Sequence, residues 1–402
     1  MTINEIDEIT KSQRNSLESR NLGTERQLLP LLPDINSHAL IVSGIRRCGK
    51  STLLHQFVEK INKPFFYLNF DDLRLITFSS TDFKLLDKVI VNSDVKLLFF
   101  DEIQSANNWE LYIRQKLDEG FQVIITGSNS SLLSQELGSR LTGRHITKEL
   151  FPFSYDEFCS FFELNKDVES FSNFLEKGGF PEYLRTGNDD ILVQLQSDII
   201  FRDIAKRHSI RDTLSLQKLF IYLLSNSSQL FSPSKLTGIS GVKSPTTVLE
   251  YISYFESSYL IQLLPCFSYS LKSQSLSPKK VYTSDTGLIK VSSISFSSNY
   301  GALLENIIYN CLRRNTKEIY YYKSKHGGEC DFIVKNKKNI SCIQVCWELT
   351  PDNKDREINS LLDAMDFFNV NNGEIITFNS EDIINSKGKE IKVIPAYKKI
   401  WE

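Results

Sequence analysis

Nine consecutive residues, Gly44-Ile45-Arg46-Arg47-Cys48-Gly49-Lys50-Ser51-Thr52, constrain the fold of this chain more than any other stretch. They match G-x-x-x-x-G-K-[ST], and their flanks supply the context that this pattern requires. The apolar run Ala39-Leu40-Ile41-Val42 before them reads as a buried strand. After them, Thr52-Leu53-Leu54-His55-Gln56-Phe57-Val58 carries apolar residues at helical spacing. A strand, a glycine loop and a helix N-terminus in that order aim backbone N–H groups and the positive end of a helix dipole at one spot, which suits a phosphate. Lys50 is expected to reach the β- and γ-phosphates, and the Ser51 hydroxyl to complete the shell of a Mg²⁺ ion.

Three more apolar runs follow. Pro64-Phe65-Phe66-Tyr67-Leu68-Asn69-Phe70 ends in Asp71-Asp72, Val95-Lys96-Leu97-Leu98-Phe99-Phe100 in Asp101-Glu102, and Phe121-Gln122-Val123-Ile124-Ile125-Thr126 in Gly127-Ser128-Asn129. Continuous apolar strands alternating with amphipathic helices predict an α/β fold whose parallel sheet is covered on both faces. Ligands of such sheets bind at the C-terminal strand ends, where these polar residues fall. Asp101, after four apolar residues, has the Walker B pattern and is expected to hold Mg²⁺ through water. Glu102 is placed to orient and deprotonate an attacking water. Ser128 and Asn129 fit two readings, a sensor of the γ-phosphate or a turn closing the strand. Arg140 and Arg144 follow a predicted helix. One of them, Arg144 as the first candidate, could stabilise transition-state charge in its own chain or across an interface; a plain surface arginine is the alternative.

Composition narrows the class. A chain of 402 residues predicts two or three domains, and a net charge of -2 argues against a generally basic nucleic-acid binder. No apolar run reaches the roughly 18 residues of a membrane span. The acidic start Met1-Thr2-Ile3-Asn4-Glu5-Ile6-Asp7-Glu8 is not that of a signal peptide. Seven scattered cysteines without a C-x-x-C pair suggest neither a disulfide framework nor a zinc site, and hence a reducing, cytoplasmic setting.

The order of these motifs resembles AAA-type ATPases of the additional-strand class, in which one more strand separates the P-loop and Walker B strands. More closely it resembles a prokaryotic AAA-type ATPase family with a C-terminal domain of unknown function. The match rests on Ser43-Gly44-Ile45-Arg46-Arg47-Cys48-Gly49-Lys50-Ser51-Thr52-Leu53-Leu54, Phe99-Phe100-Asp101-Glu102-Ile103-Gln104 and Thr126-Gly127-Ser128-Asn129. Leu141-Thr142-Gly143-Arg144, Phe151-Pro152-Phe153-Ser154-Tyr155-Asp156-Glu157-Phe158 and Gly178-Gly179-Phe180-Pro181-Glu182 extend it. The resemblance implies ATP and Mg²⁺ as cofactors and hydrolysis as the activity, without naming a target.

Residues 1–150 are thus expected to form the ATPase domain and 151–208 a helical lid, with a hinge at Gly178-Gly179-Phe180-Pro181. In 209–290, helices near 214–224, 232–236 and 244–259 precede strands at 260–264 and 280–283, which looks like a winged helix-turn-helix. Its third helix carries Glu250 and Glu256, poor chemistry for a phosphate-lined groove, while the wing offers Lys272, Lys279 and Lys280 with no acid nearby in sequence. DNA contact and a structural or protein-docking role both stay open. Residues 291–402 resemble the restriction-endonuclease-like fold, in which a helical Glu, a strand Asp and a Glu-x-Lys strand bind Mg²⁺ and orient the nucleophile. Here Glu305 and Asp331 keep their places, but Gln344 replaces the Glu and Cys346 the Lys, which implies a lost cleavage chemistry. The leading expectation is a Mg-dependent cytoplasmic ATPase acting on an unknown protein partner, as a monomer or homo-oligomer. The alternatives are an ATP-switched DNA-binding regulator and an ATP-gated defence nuclease.

Overall fold

The computed structural model describes residues 1–129, 141, 143–292, 299–325, 327–336 and 339–399. The chain divides into two compact units, Met1–Phe151 with Ser257–Tyr259, and Pro152–Glu256 with Leu260–Glu402.

In the first unit, β1 (Ala39–Ser43), β2 (Phe65–Asn69), β3 (Leu97–Asp101), β4 (Gln122–Gly127) and β5 (His145–Glu149) form a parallel sheet in the order β2-β3-β4-β1-β5. The additional strand is therefore β4, between the loop strand β1 and the Asp101 strand β3. Register sets Asn69 level with Asp101 and Ser43 level with Gly127, so the polar strand ends share one edge. Every residue of β1 and β3 is buried, as continuous apolar runs demand of a sheet covered on both faces. β5 was not expected, because His145-Ile146-Thr147-Lys148-Glu149 is a short polar strand at the sheet edge.

The helices are α1 (Ile3–Glu18), α2 (Lys50–Ile61), α3 (Phe83–Asn92) and α4 (Trp109–Asp118). α1 is set off by a Thr2/Glu5 capping box and buries Ile6, Ile9 and Leu17. Phe83 of α3 stacks on Tyr112 of α4 at 4.2 Å, beside the buried Phe100 of β3. Each such ring contributes roughly 1.5–3 kcal/mol by leaving water, so this cluster does much to hold the edge that carries Asp101.

The second unit begins with α5 (Tyr155–Phe162), α6 (Val168–Lys177), α7 (Pro181–Thr186) and α8 (Asp190–Asp198), then a π-helical turn at Ile199–Ala205. Helix is what the pattern of 151–208 predicts. Ser154 and Glu157 form a reciprocal capping box, which accounts for that part of the family landmark as a helix start. Next come α9 (Thr213–Ser225), β6 (Leu230–Phe231), α10 (Pro233–Ser240), α11 (Pro245–Ser257), β7 (Ile261–Leu264), α12 (Leu271–Leu276) and β8 (Lys279–Thr283). Their three strands pair antiparallel in the order β6-β8-β7. Ser244 accepts from the Thr247 N–H at 3.1 Å and Pro245 opens α11, a capped start with proline in the first turn. The two-residue β6 and the polar α12 carry too little periodicity to be read in advance.

After α13 (Thr286–Ser292) and α14 (Tyr300–Asn315), the strands β9 (Ile319–Lys323), β10 (Glu329–Asn336) and β11 (Asn339–Val345) are followed by α15 (Lys354–Phe367), β12 (Asn372–Thr377), β13 (Asp382–Ser386) and β14 (Lys389–Pro395). They form a mixed sheet in the order β13-β14-β12-β11-β10-β9. Its core packs Ile333, Cys342, Ile375 and Ile391 against Leu361 and Met365 of α15. Among the described residues, no helix is long and apolar enough to cross a membrane, and all seven cysteines are free thiols.

Candidate functional site

β1 hands the chain to the glycine loop at Ser43, and α2 begins at Lys50. Gly44 has φ 151°, and a Cβ there would lie 2.1 Å from the Leu150 carbonyl oxygen. Only glycine fits that approach. The buried Cys48 donates its thiol to the same oxygen at 3.4 Å. Arg26, only 2% exposed, clamps the loop from outside by donating to Cys48 O at 2.8 Å and Phe151 O at 2.7 Å. Ile45 is buried, Arg46 faces Asp71 at 3.4 Å, and Arg47 and Thr52 are exposed. Lys50 is buried; its Nζ donates to the carbonyls of Gly44 (3.1 Å) and Ile45 (3.2 Å) and lies 3.5 Å from Glu102 Oε1.

Asp101 ends β3 almost fully buried. Its Oδ2 accepts from Tyr67 Oη at 3.0 Å and its Oδ1 from Thr126 Oγ1, and the Ser51 hydroxyl also bonds to it. Burial, helped by the charge of Glu102, raises the Asp101 pKa above the ordinary carboxylate value; the three hydroxyls pull the other way. Glu102 adopts a left-handed backbone at φ 48°, with its N–H on Thr126 Oγ1 at 2.8 Å. Burial opposes its charge, but Lys50, Gln104, Arg46 and Ser128 outweigh that and hold its pKa below the usual value. The Gln104 amide donates to Glu102 Oε2 and to Ser128 Oγ. Ser128 and Asn129 are both buried at this end of β4.

The structure thus gathers Lys50, Ser51, Asp101, Glu102 and Ser128 at one edge of the sheet. It does not bring Arg144 to the loop of its own chain. That residue precedes β5, whose first residue is level with Ala39 at the opposite end of β1, and it pairs with Asp118 on the surface. Arg140 lies outside the described residues. Tyr67, Thr126, Gln104 and Arg26 escaped the sequence reading. Gln104 and Thr126 stood inside motifs without an assigned role; Tyr67 reaches the site through strand pairing and Arg26 from a distant segment.

Residues of the nuclease-like set also meet, with an addition. Glu305 on α14 and Asp331 on β10 both face Lys280 of β8, whose Nζ lies 3.0 Å from Glu305 Oε1, 2.9 Å from Asp331 Oδ1 and 2.8 Å from Glu329 Oε1. The expectation that Lys280 is a wing cation without an acid nearby is therefore wrong. It is buried among three carboxylates, because alternation along β8 turns it inward. Lys279 is likewise near an acid, the half-buried Glu256, whose pKa desolvation raises while the lysine's charge opposes the rise. Gln344 is tied up: its Oε1 accepts from the Asp331 N–H at 3.3 Å and its Nε2 donates to Glu357 at 2.7 Å. Cys346 sits in the apolar core, and burial pushes its thiol up to about 12. The expected hinge at Gly178-Gly179 is instead a packed junction. The Gly179 N–H donates to the buried Asp285 at 2.6 Å, and a Cβ on Gly179 would lie 2.3 Å from Phe153 O.

Comparison with known proteins agrees with this layout. Residues 36–159 match the family model described as an AAA domain. Residues 168–297 and 300–398 match two domains of unknown function, DUF8612 and DUF4143. A protein of Methanocaldococcus jannaschii described as uncharacterized is 34% identical over 388 residues, covering 89% of this chain and 87% of that protein. One of Haemophilus influenzae, described in the same way, is 30% identical over 351 residues, covering 81% and 86%.

Proposed function

The chain belongs to the family of AAA-domain proteins with two C-terminal domains of unknown function, and from that premise we propose that it binds Mg-ATP at residues 44–52 and hydrolyses it with Glu102 as general base. The observation that carries this reading is the meeting of Lys50, Ser51, Asp101 and Glu102 at one edge of the sheet, with β4 between the two strands concerned. Ser51 and Asp101 are hard oxygen donors bonded to one another, a fit for Mg²⁺, and they are the residues that would hold it. When bound, the ion would neutralise charge on the β- and γ-phosphate oxygens.

The chain's own groups have definable tasks. Loop N–H groups and the start of α2 donate hydrogen bonds to the phosphates. Lys50 exchanges the carbonyls of Gly44 and Ile45 for phosphate oxygens, which weakens its hold on Glu102. Losing that neighbour raises the Glu102 pKa and makes its carboxylate a better base. Glu102 then takes a proton from the attacking water, the water oxygen bonds to the γ-phosphorus, and the bond to the β–γ bridging oxygen breaks. ADP leaves with the bond's electrons, and the proton ends on phosphate.

We read residues 209–290 as a winged helix used for structure or docking, and residues 291–402 as a nuclease-like domain without cleavage chemistry, in a cytoplasmic protein. With Lys280 turned inward, the wing tip presents the exposed Tyr269, Leu271 and Leu276, which suits DNA poorly. Titrating Mg-ATP into wild type and Lys50→Ala tests the central reading. Loss of charged hydrogen bonds worth about 3 kcal/mol should weaken binding roughly 100-fold; equal affinity would remove it.

A further inference from the structure

Lys280 comes from a strand outside the nuclease-like sequence set, yet it stands at that set's centre. Three carboxylates, from Glu305 on α14 and from Glu329 and Asp331 on β10, place one oxygen each at 2.8–3.0 Å from its Nζ. Two further bonds hold the carboxylates in place. Asp331 Oδ2 accepts from the Val345 N–H at 3.0 Å, and Glu305 Oε1 also accepts from Tyr282 Oη at 2.6 Å. Gln344 and Glu357 complete each other behind the cluster. Lys280 is 4% exposed, and its stem passes the ring of Tyr321 with Nζ 6.0 Å from the centroid.

A point faced by three carboxylate oxygens, with Glu329 open to water on one side, offers part of the oxygen shell that a divalent cation takes, with water free to supply the rest. Oxygen–calcium distances of about 2.3–2.6 Å lie only a few tenths of an ångström inside the present oxygen–nitrogen distances. Among the described residues, no group of three His, Cys, Asp or Glu is disposed to hold a metal ion as they stand, in keeping with a cluster closed around its lysine. Burial works against the lysine's charge, but Asp331, Glu305 and Glu329 together outweigh it and keep its pKa well above the usual lysine value.

We propose that Lys280 is a built-in cation that occupies a three-carboxylate metal position, so that this region is blind to divalent metals as it stands and becomes a divalent-cation site when the lysine is removed. The ammonium neutralises the cluster, ties β8 to α14 and β10, and excludes the metal that hydrolytic chemistry there would need. This claim is independent of the ATPase reading.

The test is thermal unfolding of the full chain, without nucleotide, in chelator and across a Ca²⁺ and a Mn²⁺ titration. Wild type should show no metal-dependent shift beyond that of Lys280→Arg, which keeps the cation. Lys280→Ala should melt lower in chelator and rise progressively with either metal. The double variant Lys280→Ala/Asp331→Asn should melt low and not recover. If Lys280→Ala is unfolded in chelator, metal should restore its folded circular-dichroism spectrum, and Lys280→Gln, which keeps more of the stem, is read in the same way. A metal-dependent rise in wild type that Asp331→Asn abolishes overturns the proposal. So does the absence of a metal response in both neutral variants, including failure of both to fold in metal.

Discussion

Lys50 and Lys280 are both about 4% exposed and both face carboxylates, yet they are held in different ways. Lys50 leads a helix out of a glycine loop. Its partners are two backbone carbonyls and one carboxylate at 3.5 Å, a set it can leave when a polyphosphate offers more charge. Lys280 lies within a strand and has three carboxylates at hydrogen-bonding distance. No incoming anion can compete with them. A buried lysine is thus poised for a ligand when its resident partners are mostly neutral and its one carboxylate is distant, and it is structural when they are charged and complete.

The same substitution at the two positions should separate these roles most strongly. Lys280→Met leaves buried carboxylates uncompensated and is expected to cost about 3–5 kcal/mol of unfolding free energy. Lys50→Met should stay within about 1 kcal/mol of wild type, while losing Mg-ATP affinity. Chemical denaturation reads both, and equal losses would erase the distinction.

A smaller effect is expected at Gly44→Ala. Its Cβ would meet Leu150 O at 2.1 Å, so the loop must shift, at about 1–3 kcal/mol and with weaker nucleotide binding. Tyr282→Phe removes one hydrogen bond from Glu305 and should cost about 1 kcal/mol without touching ATP turnover. A turnover defect in this variant would mean that the two lysine sites are energetically linked. Smallest of all is Arg144→Ala. Its exposed pair with Asp118 contributes at most about 0.5 kcal/mol, and Mg-ATP affinity should not change.

These contrasts also explain what could be read before the structure. Residues 44–52 form a contiguous motif, and Asp101-Glu102 follow an unmistakable apolar strand, so both stood out along the chain. The four apolar strands of the first unit and the helix near 214–224 were legible from period alone. Lys280 was misread because its partners lie 25 to 51 positions further on, and a lysine near a wing looks like a surface cation until alternation on β8 is seen. That Arg144 does not reach the loop of its own chain could not be read in advance for a related reason: distance along the chain does not say at which end of β5 it stands. Tyr67 and Thr126 reach Asp101 only because β2 and β4 flank β3. The glycine pair at 178 and 179 looked like a hinge, since the buried carboxylate that it accommodates, Asp285, is over a hundred residues away.

The most direct test is single-turnover ATP hydrolysis by Glu102→Gln, with Mg-ATP binding measured on the same sample. The expected result is retained binding and a hydrolysis rate reduced by roughly 10²–10⁴, the contribution of a positioned general base. Hydrolysis at the wild-type rate, with binding intact, would contradict the account.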